Sequence, residues 1–201
     1  MDLLIASKNR GKIREIKKGL KSLKLKIIGL DDFSLAPSFE EKAESFAQNA
    51  RDKALFYNKL YDILTVADDS GLMVDYLKGA PGVYSARFAA PYSDDKARIK
   101  KLLNLLKGIS FEERQASFRC ALAVAEGGKI VELIEERANG FILEKMRGKK
   151  GFGYDPVFYF PPLKKSFAQL SLSEKNEVSH RGKALTRLRQ FLAQRLKQEE
   201  N

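Results

Sequence analysis

The sequence predicts an α/β fold in which helices flank a mixed, twisted central sheet. Two patterns lead to this prediction: short apolar runs alternate with helical patterns in the first half of the chain, and a hairpin signal follows in the second half. Strands that alternate with helices favour parallel pairing, whereas a hairpin pairs its strands antiparallel. With 201 residues, 44% of them apolar, the chain is long enough to form a single domain over residues 1–201.

The first predicted unit is a strand, a polar turn and a helix. An apolar strand at residues 3–6 precedes apolar residues at helical spacing: Ile13, Ile16, Leu20 and Leu23. We expect Ser7 or Asn9 to cap the helix, whose N-terminus would favour a bound phosphate. A plain cap with solubilising lysines explains residues 7–12 equally well. The turn lacks the glycine and lysine spacing of a P-loop, which argues against a Walker-type nucleotidase.

A second strand is predicted at residues 24–30, and a second, amphipathic helix from Ser45 to about Leu60. Asn49 and Lys53 lie one turn apart on one side of this helix. Glu41 precedes the helix, and its simplest interpretation is a favourable partner for the helix dipole.

Two adjacent carboxylates, Asp68 and Asp69, follow the apolar run at residues 63–66. We expect this strand to end at residues 67–71, since Asp, Ser and Gly are typical of turns. The acids would then lie at the carboxyl end of a strand, where α/β proteins hold their ligands. A turn without any chemical role is an equally good interpretation of this segment alone.

The middle of the chain is predicted to contain a turn and a third helix. The Pro81-Gly82 pair marks a turn before an extended segment at residues 83–88. Ser93-Asp94-Asp95 is expected to cap a helix that Gly108 ends. Two strand-like runs, residues 114–126 and 129–137, then enclose a two-residue glycine turn, which is a strong hairpin signal.

A glycine-rich loop at residues 148–153 leads into an aromatic strand. Phe152 and Tyr154 flank Gly153, where the backbone can come close to a ligand, so their rings could stack on a base. Packing in the core is the more common role of such rings. The loop is not a dinucleotide fingerprint, because the third glycine is missing at the required spacing.

The last predicted helix begins at Ser179-His180-Arg181. His180 is the sole histidine, so a histidine-rich zinc site is excluded, and no nucleophile motif for a triad lies nearby. His180 and Arg181, with Lys175 a few residues upstream, could hydrogen-bond to a planar polar ligand.

Composition narrows the class of protein. The formal net charge of +11 requires an acidic counterpart: nucleic acid, an anionic membrane surface or a small polyanion such as a nucleotide. Cys120 is the only cysteine, which excludes an intrachain disulfide and a thiolate metal site. Because no run approaches the roughly 18 apolar residues that span a bilayer, we expect a soluble cytoplasmic protein without a membrane partner.

Five blocks follow one another over almost the whole chain: Ser7-x-Asn9-x-x-Lys12-x-x-Glu15, residues 67–72, residues 79–87, residues 152–156 and residues 179–181. Together they resemble the inosine triphosphate pyrophosphatase family, the dITP/XTP pyrophosphatases. The resemblance implies hydrolysis of nonstandard purine nucleoside triphosphates, such as ITP, dITP and XTP, to the monophosphate and pyrophosphate. It also implies a nucleotide-binding cleft between two lobes, a magnesium ion and a homodimer.

The same resemblance implies a role for each site residue. Asp69 would be the general base and a magnesium ligand, and Glu41 a further acidic partner of the metal. The triphosphate would be held by the first turn and the second helix: Ser7, Lys8, Asn9, Arg10, Gly11, Lys12 and Lys53. The nucleoside would be held by residues of the later segments: Ser70, Phe152, Gly153, Tyr154, Asp155, Lys175, His180 and Arg181.

Two other functions stay open on the residues alone. A basic nucleic-acid-binding protein without catalysis would explain the net charge of +11. No helix-turn-helix, zinc-finger or aromatic platform signature accompanies that charge, so no stable nucleic-acid partner is expected. A phosphatase with an aspartyl nucleophile is weaker, since the acids are adjacent rather than in Asp-x-Asp form.

Overall fold

The structure is a computed structural model that describes residues 1–91 and 94–199. Its strands are β1 (Asp2–Ile5), β2 (Lys26–Gly29), β3 (Thr65–Val74), β4 (Gln115–Glu126), β5 (Lys129–Ile142), β6 (Phe158–Phe160) and β7 (Lys165–Ser166). Its α-helices are α1 (Arg10–Gly19), α2 (Phe46–Tyr61), α3 (Asp95–Leu105), α4 (Leu172–Val178) and α5 (His180–Glu199).

The strands form one mixed sheet in the order β2-β1-β3-β4-β5-β6-β7. Strand β1 pairs parallel with β2 and β3. Strand β6 pairs antiparallel with β5 and β7. The predicted α/β fold with a mixed sheet is therefore confirmed.

The chain folds as two compact units, each with its own apolar core. The first unit comprises residues 1–69, 120–136 and 181–199, and the second comprises residues 70–91, 94–119 and 137–180. The first core is built from β1, β4, α1 and α5, with buried side chains that include Leu3, Ile5, Ile16, Leu122 and Leu188. The second core is richer in aromatic rings, among them Phe118, Phe158 and Phe167.

Both early helices begin at a side-chain cap, and the sequence predicts one for the first of them. Asn9 caps α1, since its side chain accepts a hydrogen bond from the Lys12 amide at 3.1 Å. Ser45 caps α2 in the same way through the Gln48 amide, also at 3.1 Å. Of the two predicted caps for α1, the structure therefore selects Asn9.

The expectation that the third strand ends at the paired acids is wrong. Strand β3 continues through Asp68 and Asp69 to Val74, and the two acids are 1% and 3% exposed. Turn-forming tendencies are weak, and here the tertiary ion pairs of the acids outweigh them. Because side chains alternate along a strand, Asp68 and Asp69 point to opposite faces of the sheet.

The middle of the chain differs from expectation in one segment. Residues 83–88, expected to be extended, lie largely in a 3-10 helix at Gly82–Arg87. Asp94 caps α3 by accepting a hydrogen bond from the Ala97 amide at 2.6 Å, and Ser93 of the predicted cap lies outside the described residues. The helix ends at Leu105, three residues before Gly108.

The predicted hairpin is confirmed as β4 and β5. Its turn residues Gly127 and Gly128 have positive φ of 54° and 73°, which a glycine adopts without strain. The short elements α4 and β7 were not predicted. Across the described ranges 1–91 and 94–199, no helix is long and apolar enough to cross a membrane.

Candidate active site

The turn before α1 presents a polar, largely exposed surface. Lys8, Asn9 and Arg10 are exposed, whereas Ser7 and Gly11 are half-buried. The Ser7 hydroxyl accepts a hydrogen bond from the Asn9 amide at 3.2 Å, which fixes the approach to the helix. A capped helix N-terminus flanked by cations is a site where an anion is favoured.

Two lysines, one from α1 and one from α2, converge on Asp68. The Lys12 ammonium lies 2.7 Å from the Asp68 carboxylate and donates to the Asp68 carbonyl at 3.3 Å. The Lys53 ammonium donates to the same carbonyl at 2.8 Å and to the Glu41 carboxylate. The structure thus brings the predicted residues Lys12, Lys53 and Glu41 together around Asp68, the neighbour of Asp69. Acidic and basic groups alternate in this cluster.

Asp68 is a fully buried carboxylate held by cations. Its Oδ2 accepts from Arg181 Nε at 2.7 Å and faces the Cys120 thiol at 3.5 Å. Burial acts to raise the pKa of Asp68, but the charges of Arg181 and Lys12 and their hydrogen bonds outweigh it and hold the pKa well below its usual value. Asp68 is therefore ionised and engaged by its neighbours.

Asp69 has the opposite electrostatic character. Its Oδ2 accepts a hydrogen bond from the Asn49 amide group at 3.0 Å. Burial is the main cause that raises the pKa of Asp69 to about 6; the Lys12 charge acts against it and the nearby Glu41 charge adds to it. A carboxylate with a pKa near neutrality can take up a proton at the pH of a cell, as a general base must.

Arg181 belongs to this group in the first unit. It is 2% exposed, and its Nη1 donates to the Glu15 carboxylate at 2.6 Å. The expected contact between Arg181 and a base stays a prediction. Glu15 closes the first motif block, one helical turn after Lys12, but the sequence assigns it no role, because its partner Arg181 lies far away along the chain.

The second unit brings three of the predicted nucleoside-binding residues together. Lys175 pairs with the Asp155 carboxylate at 2.5 Å, and its ammonium lies 4.8 Å from the centre of the Phe152 ring. Asp155 also accepts from the Phe152 amide at 2.9 Å. A side chain at Gly151, whose φ is 76°, would place its Cβ 2.0 Å from the Asp155 carboxylate, so the loop requires glycine there.

The remaining predicted residues of the second unit lie in or beside its core. Tyr154 is buried, and its hydroxyl donates to the Ser85 carbonyl at 3.0 Å. The His180 ring stacks on Phe118 with centroids 4.7 Å apart and an angle of 11° between planes. Gly153 donates its amide to the Asp95 carboxylate at 2.6 Å, and Ser70 is half-buried in β3.

The carboxylate oxygens of Asp69 and Glu41 suit a hard divalent cation whose remaining ligands are water or phosphate oxygens. Within residues 1–91 and 94–199, no group of three or more His, Cys, Asp or Glu side chains is arranged to hold a metal. Asp69 and Glu41 are near enough for the charge of Glu41 to raise the pKa of Asp69. Two carboxylates fit Mg²⁺, which binds proteins through one or two carboxylates together with substrate phosphates and water.

Comparison with known proteins gives one consistent result. The sequence model of the Ham1 family matches residues 3–191. The dITP/XTP pyrophosphatase of Desulforamulus reducens is 45% identical over 96% of both chains, and that of Bacillus anthracis is 47% identical over 92% of this chain and 93% of the relative. A HAM1 protein from Coxiella burnetii superposes with a TM-score of 0.86 at 38% identity, over 96% of this chain and 99% of that one.

Proposed function

The chain belongs to the Ham1 family, and from this premise we propose that it hydrolyses nonstandard purine nucleoside triphosphates, such as ITP, dITP and XTP. The products would be the nucleoside monophosphate and pyrophosphate, a reaction that removes unwanted nucleotides from the pool. The observation that carries the proposal is the position of Asp69, whose pKa is raised to about 6 beside two lysines suited to phosphate.

The lysines neutralise the triphosphate. An ammonium group has three N–H donors, and Lys12 directs donors to the Asp68 carboxylate and the Asp68 carbonyl. A remaining donor can meet a phosphate oxygen. Lys53 and the α1 turn add positive charge and amide donors, which phosphoryl transfer needs more than it needs a covalent nucleophile.

Asp69 acts on water. Its unprotonated carboxylate can accept a proton from a water molecule as that water attacks phosphorus, and the anhydride bond between the α- and β-phosphates breaks to release the monophosphate and pyrophosphate. Asn49 holds the carboxylate in place. Asp68 is unsuited to this role, because Arg181 and Lys12 keep its pKa well below the usual value despite its burial. Mg²⁺ held by Asp69 and Glu41 would neutralise phosphate charge and orient the phosphates when bound.

The second unit supplies donors for a base. Lys175, held by Asp155 and lying beside the Phe152 ring, would donate to the six-position oxo group of hypoxanthine or xanthine. Adenine carries an amino group at that position, which leaves the donor without an acceptor. An unsatisfied buried donor costs about 1–3 kcal/mol, so adenine nucleotides would be disfavoured.

One assay separates this function from its alternatives: incubation of the protein with ITP and Mg²⁺, followed by identification of the phosphorus products. Pyrophosphate supports the proposal. Orthophosphate would support a phosphatase, and trapping of a phosphorylated aspartate would identify an aspartyl nucleophile. Release of neither product, with steeply salt-dependent binding of DNA or RNA, would support the nucleic-acid-binding alternative. The homodimer implied by the resemblance and the cytoplasmic location expected from the apolar pattern stay predictions. Sedimentation velocity of the purified chain tests the homodimer.

A further inference from the structure

Glu15 is a charged residue buried inside the first unit, with 3% of its surface exposed. It lies on α1, one turn after Lys12, and it is not among the residues proposed to contact the substrate. A buried carboxylate is costly unless cations and hydrogen-bond donors face it. Arg181 does so, donating from Nη1 to Glu15 Oε2 at 2.6 Å.

Arg181 connects Glu15 to the paired acids. The guanidinium is planar, and it uses different nitrogens for the two carboxylates: Nη1 for Glu15 and Nε, at 2.7 Å, for Asp68 Oδ2. Fixing one nitrogen of a rigid plane fixes the direction of the others. The contact between Glu15 and Arg181 therefore helps to orient the nitrogen that meets the Asp68 carboxylate.

Asp68 in turn holds Lys12. Its Oδ1 lies 2.7 Å from the Lys12 ammonium, whose side chain is 14% exposed, whereas the side chains of Glu15, Arg181 and Asp68 are at most 4% exposed. The four charges alternate from Glu15 to Lys12 and sum to zero. Lys12 is the most exposed of these four side chains, so an anion from solvent would contact the group at the Lys12 ammonium.

We propose that Glu15 is a positioning residue for triphosphate binding: through Arg181 it fixes Asp68, and through Asp68 it aims the Lys12 ammonium. The inference rests on the proposed function, because it presumes that Lys12 meets a phosphate. Without the charge of Glu15, the Arg181 guanidinium loses a carboxylate that orients it, and the Asp68 carboxylate shifts away from Lys12. A buried ion pair contributes little to stability compared with apolar residues of similar volume, so packing alone does not require a glutamate here.

Glu15→Gln removes the charge and keeps the shape of the side chain. Isothermal titration of the metal-free full chain with inorganic triphosphate is expected to show about tenfold weaker binding, the effect of impairing one charge-assisted hydrogen bond. The matched control is Glu136→Gln, which removes a glutamate paired at 3.2 Å with Arg187 of α5 in an exposed position. The control is expected to bind as wild type, and wild-type affinity in Glu15→Gln overturns the proposal.

Kinetics and a double substitution distinguish positioning from general structural damage. With ITP and Mg²⁺, Glu15→Gln is expected to raise KM about tenfold and to change kcat by less than about twofold, whereas damage to the fold lowers kcat as well. In a Lys12→Ala background, Glu15→Gln is expected to cause no further loss of triphosphate binding. A full additional loss would show that Glu15 acts independently of Lys12 and would overturn the proposal.

A second variant covers the case in which Glu15→Gln does not fold, as judged by circular dichroism. Glu15→Asp keeps the charge but shortens its reach by one methylene, and the same weaker binding of triphosphate is expected; unchanged binding overturns the proposal. Wild-type protein that binds triphosphate without hydrolysing ITP contradicts the proposed function alone, since the titration still decides the role of Glu15. Wild-type protein that does not bind triphosphate contradicts both.

Discussion

At the scale of single residues, Asp68 and Asp69 are neighbours in β3 with different electrostatic environments. Strand alternation points one towards Arg181 and Lys12 and the other towards Asn49. The sequence alone could not separate their roles, because the partner Arg181 lies 113 positions from Asp68 along the chain. The presence of an acid pair was predictable, whereas the division of labour between its members required the tertiary structure.

The raised pKa of Asp69 predicts a dependence of stability on pH. Its pKa in the folded protein is about 6, mainly because of burial, against 3.8 as the ordinary value. Between these values the folded state binds the extra proton, so the contribution of Asp69 to stability is present below about pH 4 and is lost as pH rises through 6. At pH 8 the ionised, buried group destabilises the metal-free protein.

Asp69→Asn is therefore expected to be more stable than wild type at pH 8 and to lose that advantage at pH 4. The difference at pH 8 is at most about 3 kcal/mol, since one pH unit corresponds to about 1.4 kcal/mol. Urea unfolding of both metal-free proteins at the two pH values measures it. Asp75→Asn, at an exposed position just after β3, is the control, and an equal stability difference at both pH values would contradict the prediction.

At the scale of elements, those with a long and clear pattern were predictable. Helices α1, α2 and α5 and the hairpin of β4 and β5 follow from apolar spacing and turn residues. Elements of two and seven residues, β7 and α4, are too short to show a period. The sequence pattern predicts too short a strand β3, because the ion pairs that keep Asp68 inside a strand come from other segments of the chain.

The loop before β6 gives a prediction at this scale. Gly151→Ala is expected to push Asp155 away from Lys175, because the new Cβ would lie 2.0 Å from the Asp155 carboxylate. The KM for ITP should rise and the preference for ITP over ATP should narrow, as measured by steady-state kinetics with both nucleotides.

The control for this loop is Gly127→Ala in the hairpin turn. It has a comparable positive φ of 54° and no atom within 4 Å of the added Cβ. Both substitutions carry a similar backbone cost, about 1 kcal/mol. Equal KM and equal preference for ITP in the two variants would show that the contact between Asp155 and Lys175 does not contribute to recognition of the base.

At the scale of the whole molecule, composition gives the net charge of +11 but does not identify the class of anionic partner. Charge alone admits nucleic acid, a membrane or a nucleotide. The structure adds that Lys12 and Lys53 both donate to the Asp68 carbonyl, which places two ammonium groups close together, an arrangement suited to a compact polyanion. The two units and their separate cores likewise emerge only from the folded chain.

This charge predicts how activity responds to salt. Raising ionic strength from about 0.05 M to about 0.5 M shortens the screening length from roughly 14 Å to roughly 4 Å, which weakens attraction of the anionic substrate. The KM for ITP is expected to rise several-fold while kcat changes little. Steady-state kinetics over this range provides the measurement, and a KM that is independent of salt would contradict the prediction.

The most direct test of the central claim is ³¹P NMR of the products formed from ITP and Mg²⁺ by wild type and by folded Asp69→Asn. Wild type is expected to give IMP and pyrophosphate in equal amounts. Asp69→Asn is expected to lose at least about 100-fold in kcat, the contribution of a general base. Orthophosphate as the first product of wild type, or wild-type turnover by folded Asp69→Asn, would contradict the account.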